Sequence, residues 1–268
     1  MALSHPLRQA TRYAALGAAL ALAACGPRAR TSVSDADSTA SSAEPSGPFG
    51  SGTITGTVRF VGPVPENQAI DMRAAPACRA IYHSQPRQLS VIVNPNGTLA
   101  NVFVYVKRGL PQDSHYAPVA DTVRLAVRGC QYHPRIVGLR VGQALAIRND
   151  DVVSHQIDAP GVTTRPFTIP LDAGRTGEHV FRGTEVMVPL QGAYYRWMRA
   201  YIGVLAHPFF DITGTSGHFT IPRLPPGTYT VEAWHEAYGR RTTTVTVQDS
   251  TTQRVTFSYS ITARETSD

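Results

Sequence analysis

The chain has 268 residues, 16% of them charged, with 25 Lys and Arg against 19 Asp and Glu and a formal net charge of +6. Almost all of the positive charge is arginine, Lys107 being the one lysine, and it is scattered without a basic run, so no nucleic acid is expected among its partners. No His-Glu-x-x-His, Gly-x-Ser-x-Gly or phosphate-loop pattern occurs, which removes the commonest hydrolase and nucleotide chemistries, and no enzyme is expected.

Arg8 and Arg12 precede an apolar run from Ala14 to Ala24, too short for a permanent membrane span. The run ends in Leu22-Ala23-Ala24-Cys25-Gly26, which resembles a bacterial lipobox. That resemblance implies a lipoprotein signal peptide at 1–24 and a diacylated Cys25 anchoring the chain to a membrane. Gly26 is not the Asp that commonly signals inner-membrane retention, so the expected location is the cell envelope, at the outer membrane facing the periplasm or the exterior. Residues 25–50 are Ser, Ala, Thr, Pro, Gly and Asp with almost no large apolar side chain, a composition that cannot offset the entropy of ordering, and they read as a tether. With Cys25 lipidated, Cys78 and Cys130 remain. In an exported chain they read as one disulfide, whereas a two-Cys metal site would use a short spacing that they lack.

Beyond the tether, period-two alternation dominates. Thr53–Phe60 is a strand with a Gly break, and Val102–Val106 is a continuous apolar run of central-strand type. Asn94-Pro95-Asn96-Gly97 is a hairpin turn signal, and Met72–Tyr82 is the one stretch that offers a short helix. Further strands are expected at Val123–Val127, Leu139–Arg148, Glu178–Phe181, Glu185–Leu190 and Tyr201–Ala206. After His207-Pro208 the strands shorten: Gly217–Ile221, Tyr229–Trp234, Thr242–Val247 and Gln253–Tyr259, with Pro225-Pro226-Gly227 fixing a turn. The expected class is all-β.

Gly217, Phe219, Ile221, Leu224, Pro225, Pro226, Gly227 and Tyr229 match the pattern of the carboxypeptidase regulatory-like, or transthyretin-like, sandwich, which resembles carbohydrate-binding folds and is an accessory module. Gly129–Ile157, with its Cys-x-Tyr element, Val-Gly-Gln turn and Asn149-Asp150-Asp151 ahead of His155, followed by the loop around Tyr194–Phe210, resembles the cupredoxin-like envelope proteins of the plastocyanin-like or methylamine-utilisation type. The resemblance implies a cupredoxin-like Greek-key sandwich at 51–206, a smaller regulatory-like sandwich at 207–262 and a tail at 263–268. It also implies that Cys78 and Cys130 match a family disulfide.

A blue-copper site joins a thiolate, two imidazoles and a weak axial thioether. By the resemblance, His155 falls at the distant His and Met198 at the axial Met, beside a retained Trp197. The thiolate position is Gly192, however, the loop His is Tyr195, the following Pro is Arg196, and a further family His is Arg135. The expectation is a degenerate copper site in a non-enzymatic binding or scaffolding protein with no cofactor. Two alternatives stay open. Cu(I) accepts imidazole and thioether ligands, so His155, Met198 and Met187 are candidates with Trp197 above the ion. Tyr194, Tyr195, Trp197 and Arg196 offer ring faces with donors between them, suited to a glycan, although such rings also serve to plug the end of a sandwich. The expected partner is an unidentified envelope protein or glycan. Trp234-His235-Glu236, with His207, Asp211 and His218 nearby in sequence, is the remaining cluster of titratable groups. Strand parity sends His235 and Glu236 to opposite faces, which argues against catalysis there.

Overall fold

In the computed structural model, residues 47–117 and 119–261 are described. The expected signal peptide, Cys25, most of the tether and the tail 263–268 lie outside them. In chain order the elements are β1 (Gly52–Val61), helix α1 (Pro76–Arg79), β2 (Phe103–Arg108), β3 (Val123–Arg128), β4 (Gln131–His133) and β5 (Ile136–Arg140). Next come β6 (Ala144–Asn149), β7 (His155–Ala159), β8 (Phe167–Leu171), β9 (Thr176–Val180), β10 (Glu185–Gly192) and β11 (Arg199–Leu205). The last five are β12 (Phe210–Ile212), β13 (His218–Leu224), β14 (Gly227–His235), β15 (Gly239–Val247) and β16 (Thr252–Ser260). The fold is all-β, as expected. The run 139–148 is two strands because Gly142, at φ +84°, turns the chain between β5 and β6, and the expected helix shrinks to one turn at Pro76–Arg79.

Four sheets make two sandwiches. In the first, β5-β11-β10-β7-β8 faces β4-β3-β6-β9 across a core that includes Leu125, Leu145, Ile157, Leu190 and Ile202. In the second, β13-β1-β16 faces β12-β2-β14-β15 across Ile54, Val104, Phe219, Val231 and Phe257. The expected division at 206/207 is not a division of the sheets. β1 lies between β13 and β16, antiparallel to one and parallel to the other, and β2 lies between β12 and β14. Alternation along β1 shows only that one face is buried; its partners are more than 150 residues away.

β2 explains how the sandwiches join. Its residues Phe103, Val104, Tyr105 and Val106 are all buried. By parity Val104 and Val106 enter the second core, while Phe103 and Tyr105 enter a third apolar cluster with Ile136, Met187, Leu205 and Trp234. A strand covered on both faces must be apolar throughout. Gly138 and Gly203 are directly paired between β5 and β11, and a Cβ on either would stand within 2.9 Å of the Phe103 ring. Two missing side chains thus form the hollow in which Phe103 sits. Lys107 on the same strand reaches buried Glu232 at 2.6 Å, and Tyr105 and Arg240 complete that carboxylate's hydrogen bonds.

Candidate functional site

The site lies where three turns of the first sandwich meet: Gly129-Cys130 between β3 and β4, residues 150–154 between β6 and β7, and the loop from Gly192 to Met198. Asn149 holds the middle turn, donating to the carbonyls of Val153 and Leu171 and accepting from the Asp151 N–H. Asp151 is thereby turned inward, where it accepts the N–H groups of Gly129 at 2.6 Å and Cys130 at 2.8 Å. Burial alone raises the Asp151 carboxyl, but its bond to His155 and those two backbone donors hold it below the ordinary carboxylate range. An ionised carboxylate only accepts, so His155, 2.9 Å away through Nε2, donates. His155 is buried, and its Nδ1 has no hydrogen-bond partner among the described residues.

The late loop is closed by two backbone bonds, from Gly192 N–H to the Met198 carbonyl and from Met198 N–H to the Tyr195 carbonyl. Tyr195 meets His155 edge to face at 6.0 Å and stacks on Trp197 at 4.9 Å. Trp197 donates its indole N–H to the Cys130 carbonyl at 3.0 Å. The structure therefore brings His155, Tyr195, Trp197 and Asp151 around one turn of backbone, with Tyr195 and Trp197 packed on the first core. Tyr194 is not part of the stack and is 73% exposed. Cys130 is bonded to Cys78, as expected, so its sulfur is no thiolate although it lies within 4.8 Å of the donor atoms of Asp151 and His155.

Copper is the ion that the cupredoxin resemblance implies, and the residues present do not fit a blue-copper centre. A Cβ built on Gly192 would stand 3.0 Å from Met198 Cβ and 3.1 Å from Met198 Sδ. Those distances ask only a small shift of Met198, but position 192 supplies no thiolate, and Cys78 and Cys130 are joined to each other. Nor does Met187 converge with Met198. Met187 lies in the cluster between the sandwiches, five positions before Gly192 on β10 and so about 16 Å along an extended strand.

The titratable groups near the C-terminus do not form a centre either. His235 is fully buried and stacks on Tyr238. Burial, and secondarily Arg135, pushes its pKa down to about 3. Glu236 points the other way, onto Arg135. His207 accepts the Phe209 N–H, and burial lowers it to about 4. Asp211 accepts two backbone N–H groups, and His218 pairs with Thr57 on the surface. Sequence reasoning missed Asp151, although it noted the acidic pair ahead of His155, and it missed the Arg135–Glu236 pair, although it marked Arg135 as a departure from the family.

Residues 209–260 match the carboxypeptidase regulatory-like domain family. Among solved structures the chain is similar to a copper-containing nitrite reductase from Thermus scotoductus SA-01, at 18% identity over 34% of this chain and TM-score 0.30, and it spans only 23% of that enzyme's chain. It is similar also to a purple cupredoxin from Nitrosopumilus maritimus, at 22% identity over 31% of this chain and 98% of that one, TM-score 0.27. An oxidised amicyanin variant matches at 12% identity over 38% and 97%, TM-score 0.29. No curated protein matches the chain. Beside its first β-sandwich, the chain thus carries a second one in which residues 209–260 match the carboxypeptidase regulatory-like domain family and whose sheets are completed by β1 and β2 from the other end of the sequence.

Proposed function

We propose that this protein is a non-enzymatic binding or scaffolding protein of the cell envelope, lipid-anchored through Cys25, in which the cupredoxin-like sandwich no longer holds blue copper. The observation that carries the reading is that the described residues offer no free thiolate: position 192 is Gly, and Cys78 and Cys130 are bonded to each other. Without a thiolate there is no charge transfer to the metal and no intense visible band. Added Cu(II) is therefore expected to leave the protein colourless, and strong colour would overturn the reading. Gly192→Cys with Tyr195→His, beside His155 and Met198, is expected to develop colour, which tests whether the rest of the scaffold is retained.

The His155 geometry favours a second reading. An imidazole whose one nitrogen is held by a carboxylate presents the other to a metal, the usual arrangement behind a metal-ligating histidine. His155 Nδ1 and Met198 Sδ are the two soft donors for Cu(I) on this reading, without Met187. Native mass spectrometry with added Cu(I) tests it. One retained equivalent, lost in both His155→Ala and Met198→Leu, is the supporting result, and no retained copper removes it. For the anchor, Cys25→Ala is expected to release the protein from the membrane fraction or leave it uncleaved, because stable anchoring takes more than one acyl chain. Unchanged partitioning would sink the lipoprotein reading.

A further inference from the structure

Beside the Tyr195–Trp197 stack, five separate stretches of chain line an open cleft of about 420 Å³: residues 69–71, Gln88, Arg135, residues 196–199 and Glu236. The volume falls within the range of small-molecule sites. Its charges are unevenly matched. Arg135 and Glu236 form a two-point ion pair and are both largely buried, at 9% and 7% exposure, so each cancels the other. Asp71, at one edge, is held by Arg73. Arg196 and Arg199 also line the cleft, and no carboxylate among the described residues pairs with either. Arg199 makes only a 3.4 Å contact from Nε to the Arg196 carbonyl, which leaves the terminal nitrogens of both guanidinium forks without an acceptor among the described residues.

Trp197 forms part of the same wall and is locked in place. One ring face is stacked on Tyr195 and the indole N–H is tied to the Cys130 carbonyl, beside the Cys78–Cys130 disulfide. A ring fixed in advance loses little entropy on binding. Guanidinium forks match carboxylates through two parallel hydrogen bonds, and an indole offers a flat apolar surface to a ring with one apolar face.

We infer that this cleft binds an acidic sugar of the uronic-acid class, its carboxylate held by Arg196 and Arg199 and its ring laid against Trp197. The inference rests on the binding reading above and gives that reading a ligand class. A neutral sugar lacks the group that the arginines require, and inorganic phosphate lacks the ring that the tryptophan requires.

Isothermal titration of the full chain with a galacturonic-acid disaccharide, its neutral galactose counterpart and inorganic phosphate tests the inference. The expected result is saturable binding of the acidic disaccharide that weakens as salt is raised. Arg196→Ala with Arg199→Ala, both at exposed positions, should weaken it by about tenfold or more. Trp197→Phe, which keeps a ring, should retain binding, while Trp197→Leu loses it. Absence of binding, equal binding of the neutral disaccharide, equal binding of phosphate, or indifference to the double arginine substitution would each overturn the assignment. Such a failure leaves the copper reading untouched, because colour with Cu(II) is measured separately and reports on Gly192 and Tyr195 rather than on the arginines.

Discussion

Asp151 shows how one side chain can hold a site together. Its carboxylate serves the N–H groups of Gly129 and Cys130 and the His155 ring at once, all of them buried, so Asp151→Ala strands three donors and is expected to cost on the order of 3 kcal/mol, read by urea unfolding. Glu185 plays a similar part on the far side of the sandwich. Burial raises its carboxyl, but the N–H and hydroxyl of Thr164 and the N–H groups of Thr163 and Val162 outweigh this and hold it at about 2, against an ordinary 4.5. A carboxyl lowered by folding stabilises the protein fully above its unfolded value and ceases to do so as pH falls through its folded value. Tm should therefore decline as pH drops from about 4.5 towards about 2, with Asp151 contributing in the same direction. Glu185→Gln should flatten that acid limb, and an unchanged slope would show that Glu185 does not set it.

At the scale of elements, the fit of β2 against β5 and β11 can be measured. Gly203→Ala places a methyl 2.4 Å from the Phe103 ring, in a packed cluster with no room to yield, and should destabilise by about 1–3 kcal/mol. Phe103→Leu alone should also destabilise. The two together should lose less than the sum, because the smaller side chain vacates the space that the new methyl takes. A double-mutant cycle that sums without coupling would mean that the glycine pair does not form the Phe103 hollow. The disulfide acts over a longer span: Cys78 and Cys130 are 52 positions apart. Replacing both by Ala should remove about 4 kcal/mol in the chain-entropy description, and folded protein should show neither sulfur reactive to thiol labelling.

For the whole molecule, the carboxypeptidase regulatory-like domain is continuous as a family match but not as a folding unit. β13 and β16 are each paired with β1, which lies between them, and β14 lies beside β2. Without residues 52–108, β13 and β16 lose the strand that each is paired with, β14 keeps only β15, and Phe219, Val231 and Phe257 lose seven of the seventeen buried residues of their core. A fragment of residues 209–260 made alone should therefore show a disordered circular dichroism spectrum, whereas the chain from residue 47 should show strand. A folded, cooperatively melting fragment would mean that β1 and β2 are accessory to that sandwich.

What the sequence determined by itself is what local rules control. Alternation fixed the all-β class, Pro225-Pro226-Gly227 the turn before β14, and parity the separation of His235 from Glu236. The pair of cysteines left after Cys25 allowed one disulfide. The missing thiolate was legible as well, because Gly192 and Tyr195 can be read directly against the pattern that their neighbours resemble. The tertiary structure alone decided which surfaces meet. Alternation says that a strand has an apolar face, not which strand will cover it, so nothing in β1 itself announces that it lies between β13 and β16. For the same reason residue type alone groups Met187 with Met198, although strand geometry carries it to another cluster. Asp151 closing on His155, Met198 packing beside Gly192 and Arg135 finding Glu236 across 101 residues are contacts between turns and strand ends. There hydrogen-bond partners are chosen by proximity after the sheets have packed, and no periodicity announces them.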